Sequence, residues 1–172
     1  MEEFNKGRIN IAPFRENNIT TNSYDLSLGS HFLRYTGEVL DSRRENEHEM
    51  ISVGREGLLL AKGDFILGHS EEEIGSDHYV PIIHAKSGTA RLGLFVHVTA
   101  DLIDIGFHGN VTFQLYSTLP VRIYPGMRIG QVTFWQPKGN IELYKGKYQG
   151  STGPRSSEVY RDFGTPPVPH EP

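Results

Sequence analysis

The sequence predicts an all-β domain of the jelly-roll or barrel kind, and three observations carry that prediction. Nineteen glycines and ten prolines punctuate the 172 residues at intervals of roughly ten. Between them lie short runs rich in Val, Ile, Phe, Leu, Tyr and Thr. No stretch holds a 3.6-residue apolar period for more than about three turns. Many short strands in one compact chain favour a jelly roll or barrel over a layered α/β arrangement.

Taken in order, the strands are expected at 24–34, 58–67, 79–84, 92–98, 111–116, 121–124, 128–135 and 141–144. A short helix is expected near 70–75 or at the N-terminus. The clearest alternation is in 111–116, where Val111, Phe113 and Leu115 point one way and Thr112, Gln114 and Tyr116 the other. Residues 40–50, dense in charge, read as a solvated loop. Residues 1–163 read as a single domain with a flexible closing segment at 145–157. The end, 164–172, has four prolines in nine residues and reads as an extended or disordered tail.

Charge and composition remove whole classes of function. Lys plus Arg number 17 and Asp plus Glu 21, a formal charge of −4, and no third of the chain is strongly basic. A general nucleic-acid binder needs a basic surface to gain affinity from counterion release, so none is expected. No run of eighteen apolar residues marks a membrane span, and the N-terminus lacks the basic-then-apolar order of a signal peptide, so a cytoplasmic location is expected. With no cysteine, disulfides, thiol nucleophiles and zinc-thiolate sites drop out. The eight histidines show no His-x-x-x-His spacing.

Three polar segments place small residues, hydroxyls and charges together. In 85–93, Ser87, Gly88 and Thr89 stand between Lys86 and Arg91, the chemistry of a phosphate cradle or of a strand-connecting turn. In 99–109, Asp104 lies between Ile103 and Ile105, a partly desolvated carboxylate placed to act as general base on a water, or a turn aspartate before Gly106. In 144–157, glycines and hydroxyls accompany Lys145, Lys147 and Arg155, a segment able to order over a polyphosphate or to remain a solvated tail. Together they ask for a phosphate-bearing ligand.

These segments resemble, in order, the motifs of the superfamily containing trimeric dUTP diphosphatases and dCTP deaminases. Asn22-Ser-Tyr-Asp-Leu-Ser-Leu-Gly29 resembles its first motif, Lys86-Ser-Gly-Thr-Ala-Arg91 the second and Ile103-Asp-Ile-Gly-Phe-His-Gly109 the third. Pro125-Gly-Met-Arg-Ile-Gly-Gln131 resembles the fourth and 146–153 the fifth. The resemblance implies a distorted jelly-roll or β-clip-like barrel subunit, a homotrimer with sites between subunits, a deoxynucleoside triphosphate substrate, and Mg²⁺ bound mainly through its phosphates.

Position by position, it implies that Ser87, Gly88 and Arg91 hold phosphates, with Lys86 and Gln131 beside them. Thr99 and Ala100 would lie along the base-binding hairpin, and Phe107 would pack under the deoxyribose. Lys147 and Tyr148 belong to the closing segment, with Tyr148 covering the base and Ser151 and Thr152 meeting the terminal phosphate. Asp25 would hold a metal-bound water, and Asp104 would activate the attacking water. Lys86 stands where an arginine is usual, and Asp101 where glycine is frequent.

Deaminases of this superfamily carry a glutamate ten residues after the third-motif aspartate; here that position is Gln114. An amide has no proton to accept and return at neutral pH. Ser87-Gly88 and Gly150-Ser-Thr-Gly153 also resemble dUTPase motifs. The leading expectation is therefore a dUTP diphosphatase forming dUMP and pyrophosphate, with dUTP the favoured nucleotide. The alternatives are a dCTP deaminase or bifunctional deaminase and diphosphatase altered at Gln114, and a non-catalytic nucleotide-binding trimer.

Overall fold

The computed structural model describes residues 1–97 and 99–164. The expected disordered tail, 164–172, falls outside the described residues except for Gly164.

A one-turn helix, α1 (Glu2–Asn5), precedes β1 (Asn10–Ala12), a 3-10 turn (Glu16–Asn18), β2 (Tyr24–Ser27), β3 (His31–Tyr35) and β4 (His48–Ser52). There follow β5 (Leu58–Leu60), β6 (Phe65–Gly75), β7 (Val80–Ala85), the one-turn helix α2 (Ser87–Ala90) and β8 (Leu94–Phe95). The chain continues through β9 (His108–Ser117), β10 (Val121–Ile123), β11 (Arg128–Trp135) and a 3-10 turn (Val159–Phe163). One sheet runs β4-β3-β6-β9-β8 with β1 also on β6; a second runs β2-β11-β7; β5 and β10 form a ribbon. All these pairings are antiparallel. The fold is all-β and jelly-roll-like, as expected.

Alternation along β9 places the core. Val111, Phe113 and Leu115 are buried with Leu26, Phe32, Ile66 and Ile129, while Thr112 and Gln114 remain half-buried on the opposite face. One side of β9 therefore builds the interior, and the other is free to line a cavity.

Several boundaries differ from expectation. The strand expected at 24–34 breaks at Leu28–Ser30, where the chain passes from one sheet to the other: Leu28 N–H donates to Met127 O at 2.9 Å and Gly29 N–H to His69 O at 2.8 Å. Glycine leaves room there for the His69 ring, which would lie 2.1 Å from an added Cβ. The strand expected at 58–67 divides at a turn in which the Asp64 carboxylate accepts from Ala61 N–H at 2.8 Å and Gly63 adopts φ +89°.

The short helix does form at the N-terminus, but 70–75 is strand. There burial alternates through Ser70, Glu71, Glu72, Glu73 and Ile74, and Glu72 points inward to accept from Ser27 N–H at 2.8 Å and from Arg15 Nη1 at 3.1 Å. The charged 40–50 segment ends in β4, whose backbone pairs with β3. Residues 141–144 form no strand; Tyr144 N–H donates once, to Ile105 O at 2.8 Å.

Candidate active site

The polar face of β9 floors a cavity of about 490 Å³, within the size range of small-molecule sites. Asn110, Thr112 and Gln114 recur every second residue along that floor. One wall is the 100–107 loop, which brings Ala100, Asp104 and Phe107. Gly106 makes the sharp turn between the last two with φ +89°, and Phe107 N–H donates to Asp104 O at 3.1 Å.

The roof comes from the segment after β11. Tyr144 meets Phe107 edge to face with ring centroids 6.2 Å apart, and its hydroxyl accepts from Tyr148 N–H at 3.1 Å. The chain then crosses the mouth. Asn110 N–H donates to Ser151 O at 2.8 Å, Gly153 N–H to Asn110 Oδ1 at 2.9 Å and Arg155 N–H to the Thr112 hydroxyl at 3.0 Å. Ser157 N–H reaches the Tyr35 hydroxyl at 2.8 Å. The segment after β11 is thus hydrogen-bonded to the cavity's own floor and wall.

Two groups give the interior its chemistry. Gln114 Nε2 donates to Thr112 O at 3.3 Å, while its Oε1 is buried with no partner. Burial pushes the His97 imidazole below its ordinary pKa. Its Nδ1 donates to Val96 O at 3.2 Å and its ring meets Phe113 edge-on at 6.0 Å. Asp104 is the one carboxylate lining the cavity among the described residues. It is solvent-exposed rather than desolvated between its isoleucine neighbours.

Of the residues singled out in the sequence, Ala100, Asp104, Phe107, Gln114, Tyr148 and Ser151 line this one cavity. The Ser151 hydroxyl is already engaged with Tyr148 O at 2.6 Å. Thr99 and Thr152 are exposed beside it, and Lys147 is paired to Asp162 at 2.5 Å. Ser87, Gly88 and Arg91 are exposed on and beside α2, with Lys86 half-buried before them, and none of the four lines the cavity. Gln131 lies on β11 opposite Asp25.

Sequence reasoning missed His97, Asn110, Tyr144 and Tyr35 as lining residues. Asn110 was legible, two residues before Thr112 on the polar face of the same strand. Tyr35 had no local signal, since only the fold brings β3 beside the closing segment.

Asp25 does not fit the metal-holding role. Its carboxylate is buried, accepts from Lys86 Nζ through Oδ2 and has Arg128 Nη1 3.6 Å from the same oxygen. Two cations beside it oppose the approach of a dication.

A family model described as dCTP deaminase-like matches residues 1–137. A protein of Hathewaya histolytica named "dCTP deaminase, dUMP-forming" is 40% identical over 163 residues, covering 92% of this chain and 95% of the relative. A protein of the same name from Clostridium botulinum (strain Eklund 17B / Type B) is 42% identical over 154 residues, covering 89% of each chain. Among solved structures, a 2'-deoxycytidine 5'-triphosphate deaminase from Agrobacterium tumefaciens superposes with TM-score 0.61 at 20% identity, covering 77% of this chain and 45% of that one. A dUTPase of EIAV superposes with TM-score 0.51 at 12% identity, covering 81% of this chain and 97% of that one. These two likenesses concern the fold.

Proposed function

Because the chain belongs to the dCTP deaminase-like family, we propose that its cavity takes a pyrimidine deoxynucleoside triphosphate and forms dUMP from dCTP, by water addition at C4 of the base and hydrolysis at the α-phosphorus. This corrects the plain dUTP diphosphatase expected from Gln114 and the dUTPase-like motifs. The curated relatives at about 40% identity, spanning most of the chain, are named for the dUMP-forming deaminase reaction.

The observation that carries the reading is the meeting of Asp104, Phe107, Gln114 and Tyr148 around one cavity. Phe107 and Tyr144 offer aromatic surface for sugar and base, and Tyr148 roofs them. Asp104, exposed at the mouth, is placed to hold and deprotonate the water that attacks phosphorus. Gln114 faces the base with an unpartnered acceptor oxygen, suited to a donor such as the cytosine 4-amino group. The amide orients but relays no proton, so the C4 step is the slow one, and dUTP, which bypasses it, is turned over faster than dCTP.

Ser87, Gly88 and Arg91 stand outside the cavity of their own chain. In this reading they serve the phosphates held at a neighbouring copy's cavity, which makes the working unit a homotrimer. Mg²⁺ enters with the triphosphate, since Asp25 offers it no site.

Incubation with dCTP or dUTP and Mg²⁺, with separation of nucleotides, pyrophosphate and ammonia, tests the proposal. It expects dUMP from both nucleotides, more slowly from dCTP. Formation of dCMP, or dCTP left intact by both the wild type and Gln114→Glu, contradicts it.

A further inference from the structure

Asp25 of β2 lies opposite Gln131 of β11, which lies opposite His84 of β7. Residues directly opposed across neighbouring strands share a face, and Lys86, two positions past His84, follows on the same side. The Lys86 side chain runs back over this face to donate to Asp25 Oδ2. Its backbone is held too: Lys86 N–H donates to Ile129 O at 2.9 Å. The turn Ser87–Arg91, exposed except at the buried Thr89, begins at this doubly anchored residue and is closed by Arg91 Nη1, which donates to Ser87 O at 3.0 Å.

The Asp25 side chain is 3% exposed and that of Lys86 29%. Asp25 Oδ1 is buried with no partner, so the carboxylate depends on its contacts through Oδ2. Withdrawing the ammonium toward a phosphate would leave a buried carboxylate facing only Arg128 at 3.6 Å, and stranding a buried charge is strongly unfavourable.

We propose that Asp25 is a positioning residue: it anchors Lys86, and Lys86 acts as a strut that sets the Ser87–Arg91 turn for phosphate rather than touching phosphate itself. The inference rests on the reading of that turn as a phosphate site and departs from the roles the resemblance gives both residues.

The test is calorimetric titration of the full chain with Mg²⁺ and the non-hydrolysable α,β-imido analogue of dUTP. The variants are Asp25→Asn, Lys86→Met and the double substitution. A strut predicts that each single change weakens binding about tenfold, that the double is no worse than either, and that kcat for pyrophosphate release from dUTP falls less than affinity does. Asp25→Asn binding as tightly as wild type or tighter, while Lys86→Met binds weakly, overturns the proposal, because a freed ammonium would then be serving phosphate directly. Should Asp25→Asn not fold, Lys86→Met decides alone. A strut leaves the salt dependence of binding unchanged, whereas a phosphate contact makes it shallower in the variant. A wild type that binds no analogue overturns the phosphate reading itself, an outcome distinct from binding that Asp25→Asn leaves untouched.

Discussion

Arg155 and Thr112 are joined by a 3.0 Å hydrogen bond from the Arg155 N–H to the Thr112 hydroxyl, so the roof of the cavity is bonded to the strand face that carries Gln114. Floor and roof are hydrogen-bonded into one piece.

Thr112→Val keeps the shape of the floor and removes that acceptor. We expect faster proteolytic cleavage within 150–157 and a KM for dUTP raised about three- to tenfold, with kcat changed less, since the loss of one hydrogen bond is worth roughly 1 kcal/mol. Limited proteolysis and initial-rate kinetics check this. Unchanged cleavage would show that the other ties to Asn110 and Tyr35 hold the roof without Thr112.

Asp104→Asn keeps size and polarity but removes the base. Pyrophosphate release from dUTP should fall by about 10²–10⁴, the usual contribution of general base catalysis, while binding of a non-hydrolysable analogue stays within about threefold. Full hydrolysis by this variant would move the base elsewhere in the cavity.

Burial pushes both His69 and His97 below their ordinary pKa. The unfolded chain therefore binds more protons than the folded one as pH falls below about 6.5, the ordinary histidine value. Stability contributed by keeping these rings neutral is present above that value and lost as pH falls toward the depressed folded pKa. Urea unfolding between pH 7 and 5 should show declining stability, and His69→Gln should flatten the decline. Equal slopes in wild type and variant would remove His69 from the account.

Gly29→Ala would place a methyl carbon 2.1 Å from the His69 ring. Overpacking of this kind costs roughly 1–3 kcal/mol, which denaturant melts will resolve. Glu72→Ala is expected to cost about 1–3 kcal/mol, because it leaves the buried Ser27 N–H without its acceptor, whereas Arg15, partly exposed, keeps its pairing with Glu71. A loss below about 1 kcal/mol would mean that water replaces the carboxylate.

The all-β class, the two faces of β9 and six of the cavity's residues were legible because they rest on local signals: period-two alternation, glycine turns and ordered motifs. The burial of Glu72 was not. Its run of three glutamates reads as part of a short helix, and only β2, arriving from far along the chain, supplies the Ser27 N–H that draws the middle one inward. Lys86 was legible as a cation beside a hydroxyl-rich turn, but its commitment to Asp25 depends on β7 and β2 flanking β11, which no local pattern reveals. Gln114 was read correctly as an amide on the polar face of its strand. The diphosphatase expected from Gln114 and the Ser87-Gly88 and Gly150–Gly153 likenesses is nevertheless overturned by the relatives of about 40% identity, because a few side chains report on individual steps more directly than on the reaction class.

The proposed dUMP-forming deaminase site has its C4 step limited by the amide at position 114. The most direct measurement is ammonia release from dCTP by wild type and Gln114→Glu at neutral pH. A glutamate at the same place supplies the proton relay in the cavity, so ammonia release should rise by about 10²-fold or more, with dUMP and pyrophosphate as the accompanying products. No gain in ammonia from a folded Gln114→Glu variant that still binds the nucleotide would contradict the account.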